Sequence, residues 1–385
     1  METQPTSLGD FFLLQPNVVF LNHGSFGACP RPVLEAYQRW QWEMERQPVE
    51  FLQRRSEGLI RTARERLGAF VGAAADDLVY VPNVTTGLGI LLRWLPLNPG
   101  DEVLSTDHEY GSMEGLWRHL CEQSGAHYVR QAVPLPIESA EQVVASIWSG
   151  VSERTRVLFL SHITSPTAII FPVEELVRRA RGRGILTVID GAHAPGQIPL
   201  NLEQLGADFY LGNCHKWLMS PRGAGFLYAR PEAQSLLWGA NDAEAMPWRP
   251  HSLAGLWWQG TRDISAYLAV PAAIQFMEEH HWPDVQAECH RLVCHVRREI
   301  AALTGLPPVT PDEPEWFAQM AICALPRCDG STLHRRLYDE FMIEVPITSY
   351  GEQRFVRVSV QGYNTPEDMN ALAEALKALL PQVAC

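Results

Sequence analysis

RTRVLFLSHI (154–163) and RGILTVIDGAH (183–193) are short, apolar, β-branched runs that end in polar residues, and PVEELVRRARGRG lies between them as an amphipathic helix closed by glycines. Strands joined through a helix run parallel, so this segment predicts an α/β fold whose sheet carries helices on both faces. DDLVYVPNVTTGLGILLRWL (76–95) has the same grammar: strand LVYV, turn PNVTTG, then a helix. In such sheets ligands collect at the carboxyl ends of the strands.

After about residue 265 the pattern shifts to long helical stretches, ISAYLAVPAAIQFMEEHH and about 284–303. Strand-like FAQMAICALP follows, then helix STLHRRLYDEFM, strand RFVRVSV and helix TPEDMNALAEALKALL. The expected organisation is an N-terminal arm (1–20), a large domain (21–265) and a smaller C-terminal α/β domain (266–385).

Hydrophobic residues make up 46% of the 385 and charged residues 19%, without an eighteen-residue apolar run, so a membrane-spanning chain is disfavoured. The net charge of −13 and the scattered basic residues argue against nucleic acid as a partner. METQPTSLGDFF lacks a basic region followed by an apolar one, so a cytoplasmic location is the default expectation. The eight cysteines form no CxxC pair and are expected as free thiols, with no metal site.

Lysine occurs only at 216 and 377, so 29 of the 31 basic residues are arginines. Lys377 lies in the last amphipathic helix, where a solvated face explains it. Lys216 stands in GNCHKWLMSPRG, just past the strand-like ADFYLGN. An aldehyde cofactor such as pyridoxal 5′-phosphate needs a primary amine for a Schiff base, an anion beside its ring nitrogen and a cradle for its phosphate. Arginine stays protonated and cannot supply the amine; lysine can. Asp190 ends the apolar run ILTVID, where a carboxylate could pair with a pyridinium or, alternatively, cap a following helix. His193 could reach the cofactor's phenolic oxygen or serve a structural role. The NVTTG turn at a helix N-terminus suits a phosphate, although a simple Asn or Thr cap explains it equally well.

Jointly, FLNHGSFGACPRPVLEAYQRWQWEME (20–44), NVTTG, TDHEYG (106–111), SHITSPTA (161–168), DGAHAPG (190–196), GNCHKWLMSPRGAGFLY (212–228), WQGTRD (258–263) and RVSVQGYNT (357–365) resemble the class V, fold-type I pyridoxal-phosphate enzymes, within them the isopenicillin N epimerase-like group. The resemblance implies that Lys216 carries the cofactor and shuttles the α-proton, while Asp190 holds the pyridinium. It implies that Val84 and Thr85 bind the phosphate together with His215, and that Thr261 reaches the phosphate in the other subunit of a homodimer. An aromatic side chain of TDHEYG would stack on the cofactor ring, His108 by its place in the motif, with Tyr110 as the rival. Arg357 would grip the substrate α-carboxylate, with Arg354 as the alternative. Asn22 and His23 belong to a segment folding over the site, and Ser165 to a loop beside the cofactor.

The cofactor alone does not select the reaction. A desulfurase needs a cysteine shortly before the carboxylate-binding arginine, and IEVPITSYGEQRFVR has none; Cys328 precedes a helix. The remaining readings are epimerisation at an α-carbon, β-elimination from a cysteine conjugate, and transamination. Epimerisation asks for a proton donor on the face opposite Lys216, for which His108 and Tyr110 are the candidates. A non-catalytic binding protein would have little use for Arg357.

Overall fold

The computed structural model describes residues 8–237, 253–258 and 260–385; the first seven residues of the expected arm and Gln259 of WQGTRD lie outside them. The strands are β1 (Val19–Phe20), β2 (Leu78–Val81), β3 (Glu102–Thr106), β4 (His127–Gln131), β5 (Thr155–Ser161), β6 (Leu186–Gly191), β7 (Phe209–Asn213), β8 (Gly225–Ala229), β9 (Met320–Leu325), β10 (Ile343–Glu344), β11 (Ile347–Tyr350) and β12 (Gln353–Ser359). Seven of them form one sheet in the order β2-β8-β7-β6-β5-β3-β4. β3 to β7 run parallel, and only β8 is reversed, pairing antiparallel with both β7 and β2. The carboxyl ends of β2, β3, β5, β6 and β7 therefore share one edge, followed by NVTTG, DHEYG, HITSP, the turn after Asp190 and the Lys216 loop. Motifs scattered over 130 residues of sequence meet because the crossovers keep the strands parallel.

The strands are apolar on both faces because both faces are covered. Val79, Val81, Val157, Phe159 and Leu211 point into one buried cluster, and Leu78, Tyr80, Leu158, Leu160 and Tyr210 into another across the sheet. The amphipathic helix between β5 and β6 spans Val173–Gly182 and buries Val173, Leu176, Val177 and Ala180. A second sheet, β11-β12-β9, is antiparallel and lies within residues 320–359, flanked by the helices Trp282–Thr304 and Pro366–Leu379.

The N-terminal segment joins that second region. β1 pairs in parallel with β10; Leu21 N–H donates to the Glu344 carbonyl (2.9 Å) and Ser359 N–H to the Leu21 carbonyl (2.9 Å). Leu21 and Asn22, assigned by sequence to the large domain, thus hydrogen bond to the C-terminal part, where the backbone of β12 offers free partners that sequence pattern does not reveal. Ahead of them, Phe12 packs edge-on against Phe276 and Tyr363, at 6.4 and 4.9 Å between ring centres.

Gly196, after the β6 turn, has φ 88°, and a Cβ there would lie 2.5 Å from the Trp217 backbone. Gly196→Ala should cost more than about 2 kcal/mol, because strain and overlap add. A denaturant midpoint equal to that of the parent would show that the two loops can separate freely.

Candidate active site

At the shared edge the Lys216 loop leaves β7 and returns to β8, held by bonds from Met219 N–H to the Lys216 carbonyl (3.0 Å) and from Ser220 N–H to the Cys214 carbonyl (3.1 Å). Met219 takes φ 61°, a left-handed conformation that the surrounding bonds impose on a non-glycine residue. From the other side, buried His23 donates through Nε2 to the Lys216 carbonyl (3.0 Å), and its Nδ1 accepts from the Tyr363 hydroxyl (3.0 Å). With both ring nitrogens engaged, His23 braces the lysine's backbone.

Lys216 Nζ lies 3.1 Å from His193 Nε2. Burial pulls its amine down to about 8 although Asp190 opposes this, and Arg357 adds to the lowering. Asp190 is buried, accepts from Ala192 N–H at 2.9 Å through Oδ1, and takes no hydrogen bond on its second oxygen among the described residues. Burial pushes its carboxyl up to about 6 against that hydrogen bond and Lys216. A buried carboxylate with a spare oxygen and a buried amine near neutrality fit a cofactor bearing a pyridine nitrogen and an aldehyde.

Beside Asp190, Glu109 accepts from the Thr106 hydroxyl (2.8 Å) and from the Ser161 hydroxyl (2.5 Å), so it ties the end of β3 to the end of β5. Burial lifts its carboxyl to about 7, with Asp190 adding to the rise. Glu109 lies in the quoted TDHEYG motif, yet a single Glu on a turn carries no sequence signal of burial.

The helix Val84–Leu92 opens toward the same edge, with Asn83 Oδ1 accepting from Thr86 N–H at 2.8 Å. The Val84 amide, expected for phosphate, donates instead to Asn213 Oδ1 at 3.0 Å. The Thr85 amide and hydroxyl carry no hydrogen bond among the described residues and are among the free donors of this turn. His215 spends its Nδ1–H on the Ala224 carbonyl (2.9 Å), and burial lowers the ring to about 4. Its Nε2 therefore donates to an anion only if that anion draws a second proton onto the ring.

His108 and Tyr110 are separated clearly. His108 is fully buried, bonds Thr167 Oγ1 and the Val133 carbonyl at 2.7 Å each, and has Tyr350 stacked on one face at 4.4 Å. Those contacts engage both ring nitrogens and one face of His108. Tyr110, at the start of the helix Gly111–Ser124, is 48% exposed.

Arg357 is 5% exposed and pairs with no carboxylate among the described residues. Nη1 donates to the Ser165 carbonyl at 2.6 Å and Nη2 to Ser25 Oγ at 3.0 Å. Ser25 in turn donates to Asn22 Oδ1 (2.5 Å), and Asn22 Nδ2 donates to Glu344 (2.9 Å). Ser165 therefore orients the guanidinium directly and Asn22 through Ser25, a residue missed individually in the sequence, which links Asn22 to Arg357. Burial lowers Arg357 only to about 10, so it remains a cation. Thr261 is exposed on this chain, two residues before Asp263, which accepts from Tyr37 (3.3 Å) and Gln41 (2.9 Å).

This fold, with a buried amine and carboxylate at one edge of its large sheet and the buried guanidinium of Arg357 reaching them from β12, is that of a cofactor-dependent enzyme, and the chain belongs to the aminotransferase class-V family, whose model matches residues 20–372. Pyridoxal 5′-phosphate is the cofactor of that family and hence of this chain. The chain is 36% identical to the isopenicillin N epimerase of Streptomyces clavuligerus over 383 residues, 95% of this chain and 96% of the relative. It is 30% identical to a probable chloroplastic L-cysteine desulfhydrase of Arabidopsis thaliana over 398 residues, 95% of this chain and 83% of the relative. The cysteine desulfurase CsdA of Escherichia coli shares the fold, with a TM-score of 0.80 at 20% identity over 97% of this chain and 98% of that one.

Proposed function

We propose that the protein catalyses proton transfer at the α-carbon of an amino acid or amino-acid conjugate, as an isopenicillin N epimerase-like enzyme. The observation that carries the reading is Arg357, a buried cation near the Lys216 amine that pairs with no carboxylate among the described residues. A buried charge is costly unless something pairs with it, and a substrate α-carboxylate is the anion of matching geometry. The identity to two epimerases, 35% and 36% over 96% of their length, supports this reading over the desulfhydrases.

When bound, the cofactor acts as an electron sink for bonds at the α-carbon. Lys216 would be the amine that holds the cofactor's aldehyde and, as a free amine, the base for the α-proton on its own side. Asp190 would hold the pyridine nitrogen through its free oxygen, His193 the phenolic oxygen, and Thr85 the phosphate through its amide and hydroxyl, with His215 beside it. Exposed Tyr110 would be the side chain of TDHEYG with the freedom to lie against the cofactor ring and to donate a proton from the face opposite Lys216, with His108, bound through both nitrogens, as its rival for the stacking. Two copies of the chain complete each site, Thr261 of one reaching the phosphate of the other; exposed Phe26 and Trp42, at 69% and 74%, support a covered surface on this part of the molecule.

Aldehyde capture should rise with pH to a plateau above about 8, because the reacting form is the free amine and burial lowers Lys216 to that value. At pH 7 the free fraction is then roughly two-hundredfold that of an ordinary lysine. A rate still climbing above pH 10 would refute the lowered amine.

The reaction is tested by solvent deuterium exchange at the α-carbon over amino acids and cysteine conjugates, following pyruvate and ammonia in parallel. Exchange with inversion is the expected result. Keto-acid release would instead establish a carbon–sulfur lyase, the reading that the desulfhydrase relatives support. A persulfide-forming desulfurase is opposed by the hairpin from β11 to β12, which carries no cysteine, and by Cys29, whose thiol burial pushes up to about 12.

A further inference from the structure

Trp217 is fully buried, and its indole N–H donates to His193 Nδ1 at 3.2 Å. An indole nitrogen only donates, so His193 must turn a lone pair toward it. A neutral imidazole with a bare Nδ1 carries its proton on Nε2, the nitrogen 3.1 Å from Lys216 Nζ. The ring is 2% exposed, and burial first, then any positive charge on Lys216, Arg357 or His23, opposes a second proton on it.

We infer that Trp217 is a positioning residue that locks His193 as the Nε2–H tautomer, so that His193 donates toward Lys216 and the lysine answers with its free lone pair. The opposite tautomer would set a lone pair against Lys216 and favour the ammonium form, which cannot attack an aldehyde. A tryptophan directly after the lysine thereby controls the lysine's reactivity through a histidine 23 residues upstream. The purpose assigned to this control rests on the reading of Lys216 as the cofactor's amine; the tautomer itself does not.

The other groups facing the pair are Asp190 from β6, Arg357 from β12 and His23 from the N-terminal segment. Trp217→Phe removes the N–H and leaves these groups in the sequence unchanged, so their charges are common to both proteins. Two lysines in the chain supply an internal control, since Lys377 lies far along the sequence in the helix Pro366–Leu379 and pairs with Glu374.

The test uses the full chain freed of cofactor, labelled with nitrogen-15 in histidine, with His193→Gln identifying the signal. The expected spectrum of the parent protein has His193 Nδ1 bare and Nε2 protonated. Trp217→Phe should mix the two tautomers and, in reductive methylation with formaldehyde and cyanoborohydride at pH 7, reduce labelling of Lys216 relative to Lys377 roughly tenfold. A protonated Nδ1 in the parent overturns the inference whether or not the variant folds. So does a folded variant whose labelling ratio equals that of the parent. Neither measurement involves the cofactor, so failure here is distinct from failure of Lys216 to bind pyridoxal phosphate.

Discussion

Lys216→Ala is expected to lose the visible absorption of the bound cofactor and to cut turnover by on the order of 10⁴-fold or more, since in the proposed reaction one side chain supplies both the covalent anchor and the proton shuttle. In the parent protein, borohydride should fix one cofactor per chain, and peptide mapping should find it on Lys216 rather than Lys377. The variant should remain folded, because Lys216 enters no ion pair among the described residues and its loop is held by backbone bonds. Label recovered on Lys377, or a coloured Lys216→Ala protein, would remove the amine from the centre of the mechanism.

Arg357→Ala should lower kcat/KM by ~10²–10³-fold, the loss of two charge-assisted hydrogen bonds to a carboxylate. The effect should fall mainly on KM, because the carboxylate is gripped equally before and during proton transfer. Stability moves the other way from an ordinary core truncation. Arg357 is a desolvated cation whose hydrogen bonds go to the Ser165 carbonyl and Ser25, so its removal relieves a cost of burial. The unfolding midpoint should stay level or rise, while Arg354→Ala should change kcat/KM by less than about twofold. A large fall in stability with unchanged KM would make Arg357 a structural residue.

How far the site can be read from sequence depends on the kind of signal each residue sends. β5, β6 and the helix between them are visible as runs of apolar residues with period two or 3.6, and the structure has them at Thr155–Ser161, Leu186–Gly191 and Val173–Gly182. Lys216 and Asp190 are visible because each follows such a strand, and parallel pairing brings them to one edge. Side-chain allegiance is not visible in the same way. Nothing in NVTTG says that the Val84 amide is already taken by Asn213, 129 residues later. Nothing in TDHEYG says that Tyr350 from β11 covers His108 while Tyr110 faces outward. Glu109, Ser25 and Trp217 each depend on a partner distant in sequence, Ser161, Arg357 and His193, so periodicity and motif spacing pass over them.

The pairing of β1 with β10 also has a consequence for biosynthesis. Asn22 finds Glu344 across 322 positions, and Ser25 finds Arg357 across 332. The ribosome releases the earlier partner of each pair long before the later one exists, and domains otherwise fold from the N-terminus as they emerge. The seven-stranded sheet can close once residue 229 is out, but the first strand must wait, unpaired, for the last third of the chain. A nascent chain stalled between residues 229 and 357 would therefore carry Lys216 and Asp190 on a closed sheet while Arg357 had yet to be made.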